Sequence, residues 1–339
     1  MINAETKSPA LIVGIGASAG GLAAFKSFLA NLPADTGMAF VLVQHLSPNH
    51  KSLLVELLSA QCPVPVVAAT DRQLVKANCV FVIPPDATLT IVDGFLRLET
   101  PAPVREHRRP IDTFLTSLAD DCGERAVGIV LAGVGSDGTI GIRSIKESGG
   151  LTLAQADGDQ HPLSGMPHSA SASGMVDQVM PVEAMPATLI LHLRHLIEAS
   201  GKKNGNGQRH DLKLHLPQIT SVMHARSAHD FSGYKEATLI RRLQRRMQVL
   251  HINSALDYIE RLREDRTEVD ALFREILIGV TQFFRDPDAF TALNTLAIQP
   301  MLDAKGKEIP VRVWVPGCST GEERDGSTIS DGAMSGISA

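Results

Sequence analysis

Between residues 11 and 199, short aliphatic runs alternate with stretches of helical period. That alternation confines the chain to an α/β fold, a mostly parallel sheet covered by helices on both faces. Strands are predicted at 11–15, 40–43, 80–83, 127–131 and 151–154, with helices at 20–30, 51–60, 111–119, 140–147 and 187–199. One antiparallel hairpin is predicted over 89–98, with Asp93-Gly94 supplying its turn. In a doubly wound sheet of this kind, ligands bind beyond the carboxyl ends of the strands.

The alternation stops near residue 199. Residues 199–214 include a run rich in glycine, asparagine and lysine and read as a linker. Residues 215–305 carry helical period only, at 219–227, 236–250, 255–264, 268–278 and 286–296, and predict a small all-α domain. Residues 306–323 hold one more strand and a glycine loop, the truncated start of a second α/β domain. Residues 324–339 have no apolar period and read as a disordered tail.

Composition narrows the function classes. The 339 residues carry 32 Lys and Arg against 37 Asp and Glu, a net charge of −5, which argues against bulk nucleic-acid binding. At 44% hydrophobic and 20% charged the chain is of globular type, and with only 4% aromatics its cores must be mainly aliphatic. No apolar run approaches the roughly 18 residues of a membrane helix, and the first residues show no signal-peptide pattern, so membrane insertion is not expected. The four cysteines are dispersed with no CxxC pair, so neither a metal cluster nor a disulfide framework is expected, and a cytoplasmic location is.

The sharpest local signal is Gly16-Ala17-Ser18-Ala19-Gly20, directly after the first strand and before the first helix. Flanking glycines permit a tight strand-to-helix turn that presents the serine, the G-x-S-x-G pattern of a nucleophile elbow. The same stretch, as Gly14-x-Gly16-x-x-Ala19, also resembles a dinucleotide-binding turn. That turn calls for an acidic residue at the end of the second strand to hold the ribose, and this chain has Val43-Gln44-His45 there. A serine nucleophile needs a base and an orienting carboxylate. His45 ends the second strand, and Asp137 lies in Gly133-Val134-Gly135-Ser136-Asp137-Gly138 after the strand at 127–131. All three candidates therefore come from one edge of the sheet.

These residues resemble the chemotaxis protein-glutamate methylesterase family, the CheB catalytic domain. The resemblance rests on Gly14 to Gly21, Gln44-His45 and Gly133 to Gly138. Pro84-Pro85 and Gly165-Met166-Pro167 add to it, and it covers residues 9–198. It implies a cofactor-free serine hydrolase with Ser18, His45 and Asp137 as its triad. The expected substrates are glutamyl methyl esters of chemoreceptor-type signalling proteins, and glutamine deamidation by the same triad is open. Ala19 stands where the family often has threonine, and Val134 where it often has methionine. Family enzymes usually carry an N-terminal receiver domain. Few residues precede the first strand here, so a separate receiver-domain regulator, or none, is the expectation.

The helix at 236–250 carries Arg241, Arg242, Arg245 and Arg246, one cationic stripe by spacing. It reads either as a solvated face or as a docking site for an acidic partner. Residues 281–287 and 313–323 resemble the chemotaxis receptor methyltransferase family, CheR, and the all-α stretch is similar to its N-terminal domain. By that resemblance Thr281, Arg285, Gly317 and Glu322 would face S-adenosylmethionine, and the four arginines would approach the receptor. A cofactor domain interrupted after Glu323 implies no methyl transfer, so S-adenosylmethionine is expected only in a complete domain. Two further readings stand beside the esterase: a non-catalytic signalling adaptor that docks through the basic helix, and a dinucleotide-dependent oxidoreductase. The second lacks its ribose-binding acid.

Overall fold

The structure is a computed structural model. It describes residues 8–18, 20–44, 53–99, 108–156, 165–201, 205–227, 229–231, 233–277, 291–298 and 300–301, with backbone alone at 198–201 and 205–206. The strand expected within 306–323 and the tail 324–339 lie outside these residues. The chain divides into a unit of residues 1–277 and a unit of residues 278–339.

Seven strands form the central sheet of the first unit. They are β1 (Ile12–Ala17), β2 (Ala39–Gln44), β3 (Val66–Ala68), β5 (Cys79–Val82), β8 (Ala126–Val130), β9 (Leu151–Gln155) and β10 (Gln178–Met180). Their order is β10-β9-β8-β1-β2-β5-β3, and every neighbouring pair is parallel. A separate three-stranded antiparallel sheet holds β4 (Gln73–Leu74), β6 (Thr88–Val92) and β7 (Phe95–Glu99). Between β6 and β7, Asp93 and Gly94 both take positive φ, at 53° and 75°, as a primed hairpin turn requires. The short strands β3, β4 and β10 have too few residues to show a period.

Helices cover both faces of the parallel sheet, and β1 is buried along its whole length. On one face, Phe25, Phe28 and Leu29 of α1 (Gly21–Ala30) and Met185, Leu189 and Leu193 of α6 (Met185–Gly201) share a core with Val13, Ile15, Phe40 and Leu42. On the other, α3 (Pro110–Cys122) and α4 (Thr139–Glu147) join the hairpin over Ile12, Val41, Val43 and Val130. Ile111, Phe114, Leu115 and Leu118 give α3 its buried stripe at helical spacing. Each such side chain contributes about 1.5–3 kcal/mol when fully buried. The glycines of β1 let α3 approach closely, for a Cβ on Gly14 would stand 2.6 Å from Leu115 Cδ2. Gly14 and Gly16 therefore lie inside a strand against a helix, not in a phosphate-binding turn.

Four helices form the second part of this unit: α7 (Gly205–Ser227), α8 (Glu236–Val249), α9 (Ala255–Glu264) and α10 (Arg266–Leu277). Their core gathers Leu212, Ile219 and Met223 from α7, Leu239, Leu243 and Met247 from α8, Tyr258 and Leu262 from α9, and Leu272 from α10. The stretch 199–214 is accordingly not a linker throughout. α6 runs to Gly201, α7 begins at Gly205, and Leu212 is fully buried. Packing of Leu212, Ile219 and Met223 on one face outweighs the poor helix propensity of the glycines and asparagine that open α7. No described helix is long and apolar enough to cross a membrane.

Candidate active site

The strand order reverses at β1, which has β8 on one side and β2 on the other. This is the switch point where a doubly wound sheet opens a crevice at its carboxyl edge. Ser18 is the first residue beyond β1 and is half-buried. Its amide donates to Ala132 O at 2.9 Å, and its carbonyl accepts from Gly21 N at 2.9 Å. Gly20, at φ 84°, caps α1 in the left-handed region, which only glycine enters without strain. The chain thus turns sharply from strand to helix around the serine, as the flanking glycines predict.

The loop after β8 is held against that turn. Leu131 N donates to Gly16 O at 2.8 Å, and Ala132 N donates to Gln155 Oε1 at 2.9 Å. Gly133 approaches so closely that an added Cβ would lie 2.8 Å from Ser18 Cβ. Its carbonyl accepts from Met166 N at 2.9 Å, which docks the start of α5 (Met166–Ala172) on the loop. Val134 follows, 74% exposed at the rim.

Asp137 ends this loop and is 6% exposed. Its Oδ1 accepts from Asp112 N at 2.9 Å and Gly138 N at 2.9 Å, and its Oδ2 accepts from Ile111 N at 3.1 Å. Two of these amides belong to the first turn of α3, where the helix dipole favours negative charge. A carboxylate accepts about four hydrogen bonds, so three amides are compatible with one further donor.

The third candidate, His45, lies outside the described residues. Gln44, directly before it, closes β2 and pairs in register with Ala17, directly before Ser18. Gln44 Nε2 also donates to Ser18 O at 3.4 Å. The structure thus brings the loops of Ser18 and Asp137 together and ends β2 beside Ser18. Thr281, Arg285, Gly317 and Glu322, the residues matched to a methyl-donor site, also lie outside the described residues. Among the described residues, no group of three or more His, Cys, Asp or Glu could hold a metal ion.

The cationic stripe of α8 requires a correction. Arg241 is exposed, but Arg242, Arg245 and Arg246 are buried, at 3%, 4% and 5% exposure. Arg242 and Arg245 reach Glu275 at 3.4 and 2.8 Å. Arg246 reaches Glu268 at 2.5 Å, and Arg245 also reaches Asp177, before β10, at 2.6 Å. These guanidinium groups are neutralised within the chain and do not form a docking face for an acidic partner. Their carboxylate partners lie 22 to 68 residues away in sequence, beyond the reach of helical periodicity.

The sequence reading also missed Arg109 and Asp112, which flank the start of α3. Arg109 Nη2 donates to Ser136 O at 2.9 Å and to Ser136 Oγ at 3.2 Å. Its Nε lies 2.7 Å from Asp112 Oδ2. The available signal was an arginine before Pro110 with an acid three residues on, a pattern ordinarily read as a helix start.

Residues 13–189 match the family described as CheB methylesterase, and residues 215–277 match the CheR methyltransferase all-alpha domain. A 104.1 kDa protein encoded in the hypE 3' region of Rhodobacter capsulatus is 35% identical over 289 residues, covering 80% of this chain and 30% of that protein. The protein-glutamate methylesterase/protein-glutamine glutaminase 2 of Cupriavidus metallidurans is 34% identical over 181 residues, 53% of each chain. The crystal structure of the Thermotoga maritima CheB methylesterase catalytic domain aligns with 53% of this chain and 97% of its own, at 31% identity and a TM-score of 0.49. The chain spans about half the length of the methylesterase relative and under a third of the larger one. With more than half of its residues inside the family match, the chain belongs to the CheB methylesterase family.

Proposed function

We propose that the chain is a serine hydrolase that demethylates glutamyl methyl esters on chemoreceptor-type signalling proteins. One observation carries the reading. In a chain of this family, Ser18 occupies a tight strand-to-helix turn at the switch point of the sheet, tied by its own amide to the loop that presents Asp137. In this mechanism Ser18 Oγ attacks the ester carbonyl as His45 takes its proton. The proton passes to the leaving methoxide, and methanol departs. Water then attacks the acyl-enzyme with the same histidine as base. Asp137 orients the imidazole and stabilises its cation. The N–H of Val134, next in the loop to Gly133, which packs against Ser18, would support the developing oxyanion.

A second outcome for the same triad is deamidation of glutamine side chains, since related proteins are named both methylesterase and glutaminase. The attack is identical, and ammonia replaces methanol as the leaving group.

A serine-directed fluorophosphonate tests the reading. Stoichiometric adduct formation on Ser18 is expected to abolish methanol release from a methylated receptor. Release that survives complete labelling of Ser18 overturns it.

A further inference from the structure

Asp137 does not stand alone at the start of α3. The Asp112 amide donates to its Oδ1 at 2.9 Å, which brings a second buried carboxylate, 5% exposed, to the same turn. Asp112 Oδ1 accepts from Gly141 N at 2.8 Å, and its Oδ2 faces Arg109 Nε at 2.7 Å. The same guanidinium holds the carbonyl and hydroxyl of Ser136, the residue before Asp137. One side chain thus bridges the helix that caps Asp137 and the loop that carries it.

We propose that Arg109 is a positioning residue for Asp137. It holds the Ser136–Asp137 backbone in place and sets its charge against the Asp112 carboxyl, so that Asp137 remains an acceptor for the catalytic base. The proposal rests on the triad reading above.

The electrostatics support it. Burial pushes the Asp112 carboxyl up and the Gly141 amide pulls it down, while the neighbouring Asp137 raises it and Arg109 lowers it; the net effect is upward, and Arg109 limits it. Without the guanidinium, the balance moves toward a protonated Asp112. The proton would then sit between the two carboxyls, donated by Asp112 to Asp137, where it competes with the imidazole N–H. Two carboxyl groups this close do not ionise independently. Arg109 is 38% exposed in its side chain, so replacing it opens no cavity in the core.

The test compares Arg109→Gln in the wild-type and Asp112→Asn backgrounds, with steady-state methanol release and thermal melting for each. In the wild-type background kcat is expected to fall about 10²-fold, the scale of a misplaced catalytic group. KM should stay within about twofold, and the acid limb of the kcat profile should move to higher pH. In the Asp112→Asn background the same substitution should cost clearly less, because only the hold on Ser136 is lost and no second proton remains to be controlled. Equal losses in both backgrounds, an unmoved acid limb, or a change confined to KM overturns the proposal. Asp137→Asn serves as the separate control, with an expected loss of about 10⁴-fold. If that variant keeps wild-type kcat, the triad reading fails; if it collapses while Arg109→Gln does not, only the role of Arg109 fails.

Discussion

Arg245 grips Asp177 with both arms of its guanidinium, Nη2 to Oδ2 at 2.6 Å and Nη1 to Oδ1 at 3.1 Å, and so joins the α7–α10 bundle to the sheet. Lys146 reaches the same carboxylate at 3.1 Å, and Thr152 donates to it from its amide and its hydroxyl at 3.0 and 2.9 Å. Arg245 also donates to Gly150 O. Burial alone would push Asp177 up, but Arg245 and Lys146 hold it well below the usual carboxylate range. A buried pair of this kind fixes how two parts fit together more than it adds net stability.

Removing one partner leaves the other desolvated without compensation. Arg245→Met is expected to lower the stability of the unit by about 3–5 kcal/mol. It should also split a single urea transition into two, the helical bundle releasing first. A variant that keeps one transition at the wild-type midpoint would show that the seam is held by other contacts.

Acid should weaken the same region in two stages. His192 of α6 is 5% exposed, with its ring 6.5 Å from that of His251. Burial, then the neighbouring His251, pull it down from 6.5 to about 4. The folded form holds it neutral while the unfolded chain binds a proton. Stability is therefore complete above pH 6.5 and declines as pH falls toward 4, by about 3 kcal/mol over that window. Asp177, depressed in the folded state, adds a further loss only below the ordinary carboxylate range near 4. Urea melts from pH 7.5 to 3.5 should show this slope, and His192→Phe should flatten its upper part. An unchanged slope in that variant contradicts the assignment.

Gly133 couples packing to chemistry. In Gly133→Ala the added Cβ would stand 2.8 Å from Ser18 Cβ and 3.0 Å from Ser18 N, and closer still to Met166 Sδ, the far part of a flexible side chain. Ser18 sits on backbone tied at both ends and cannot withdraw as a flexible side chain would. The expected result is a fall of about 10²-fold in kcat with a far smaller change in melting temperature. Normal turnover in a folded Gly133→Ala variant would show that the loop and the serine are not in register.

The sheet was legible because its signals are local. Val13 and Ile15 alternate with glycines in β1, Asp93-Gly94 marks the hairpin, and Phe114, Leu115 and Leu118 give α3 its stripe. The three candidate site residues followed from strand ends; Ser18 directly follows β1 and Asp137 lies in the loop after β8, while His45 lies outside the described residues. What the sequence withheld depends on partners far along the chain. Arg242, Arg245 and Arg246 look like a solvated face until Asp177, Glu268 and Glu275 are brought to them. The start of α7 looks like a linker until Leu212 is seen in the helical core. Arg109 and Asp112 look like a helix start, and only the folded loop shows that they hold Ser136 and Asp137.

Methanol release from a methylated receptor, compared between the wild-type chain and Ser18→Ala, bears on the whole scheme at once. With Ser18 as nucleophile, the substitution should lower kcat by about 10⁴-fold or more, while melting temperature and the acid stability profile stay as in the wild type. Release by Ser18→Ala at the wild-type rate would contradict the scheme.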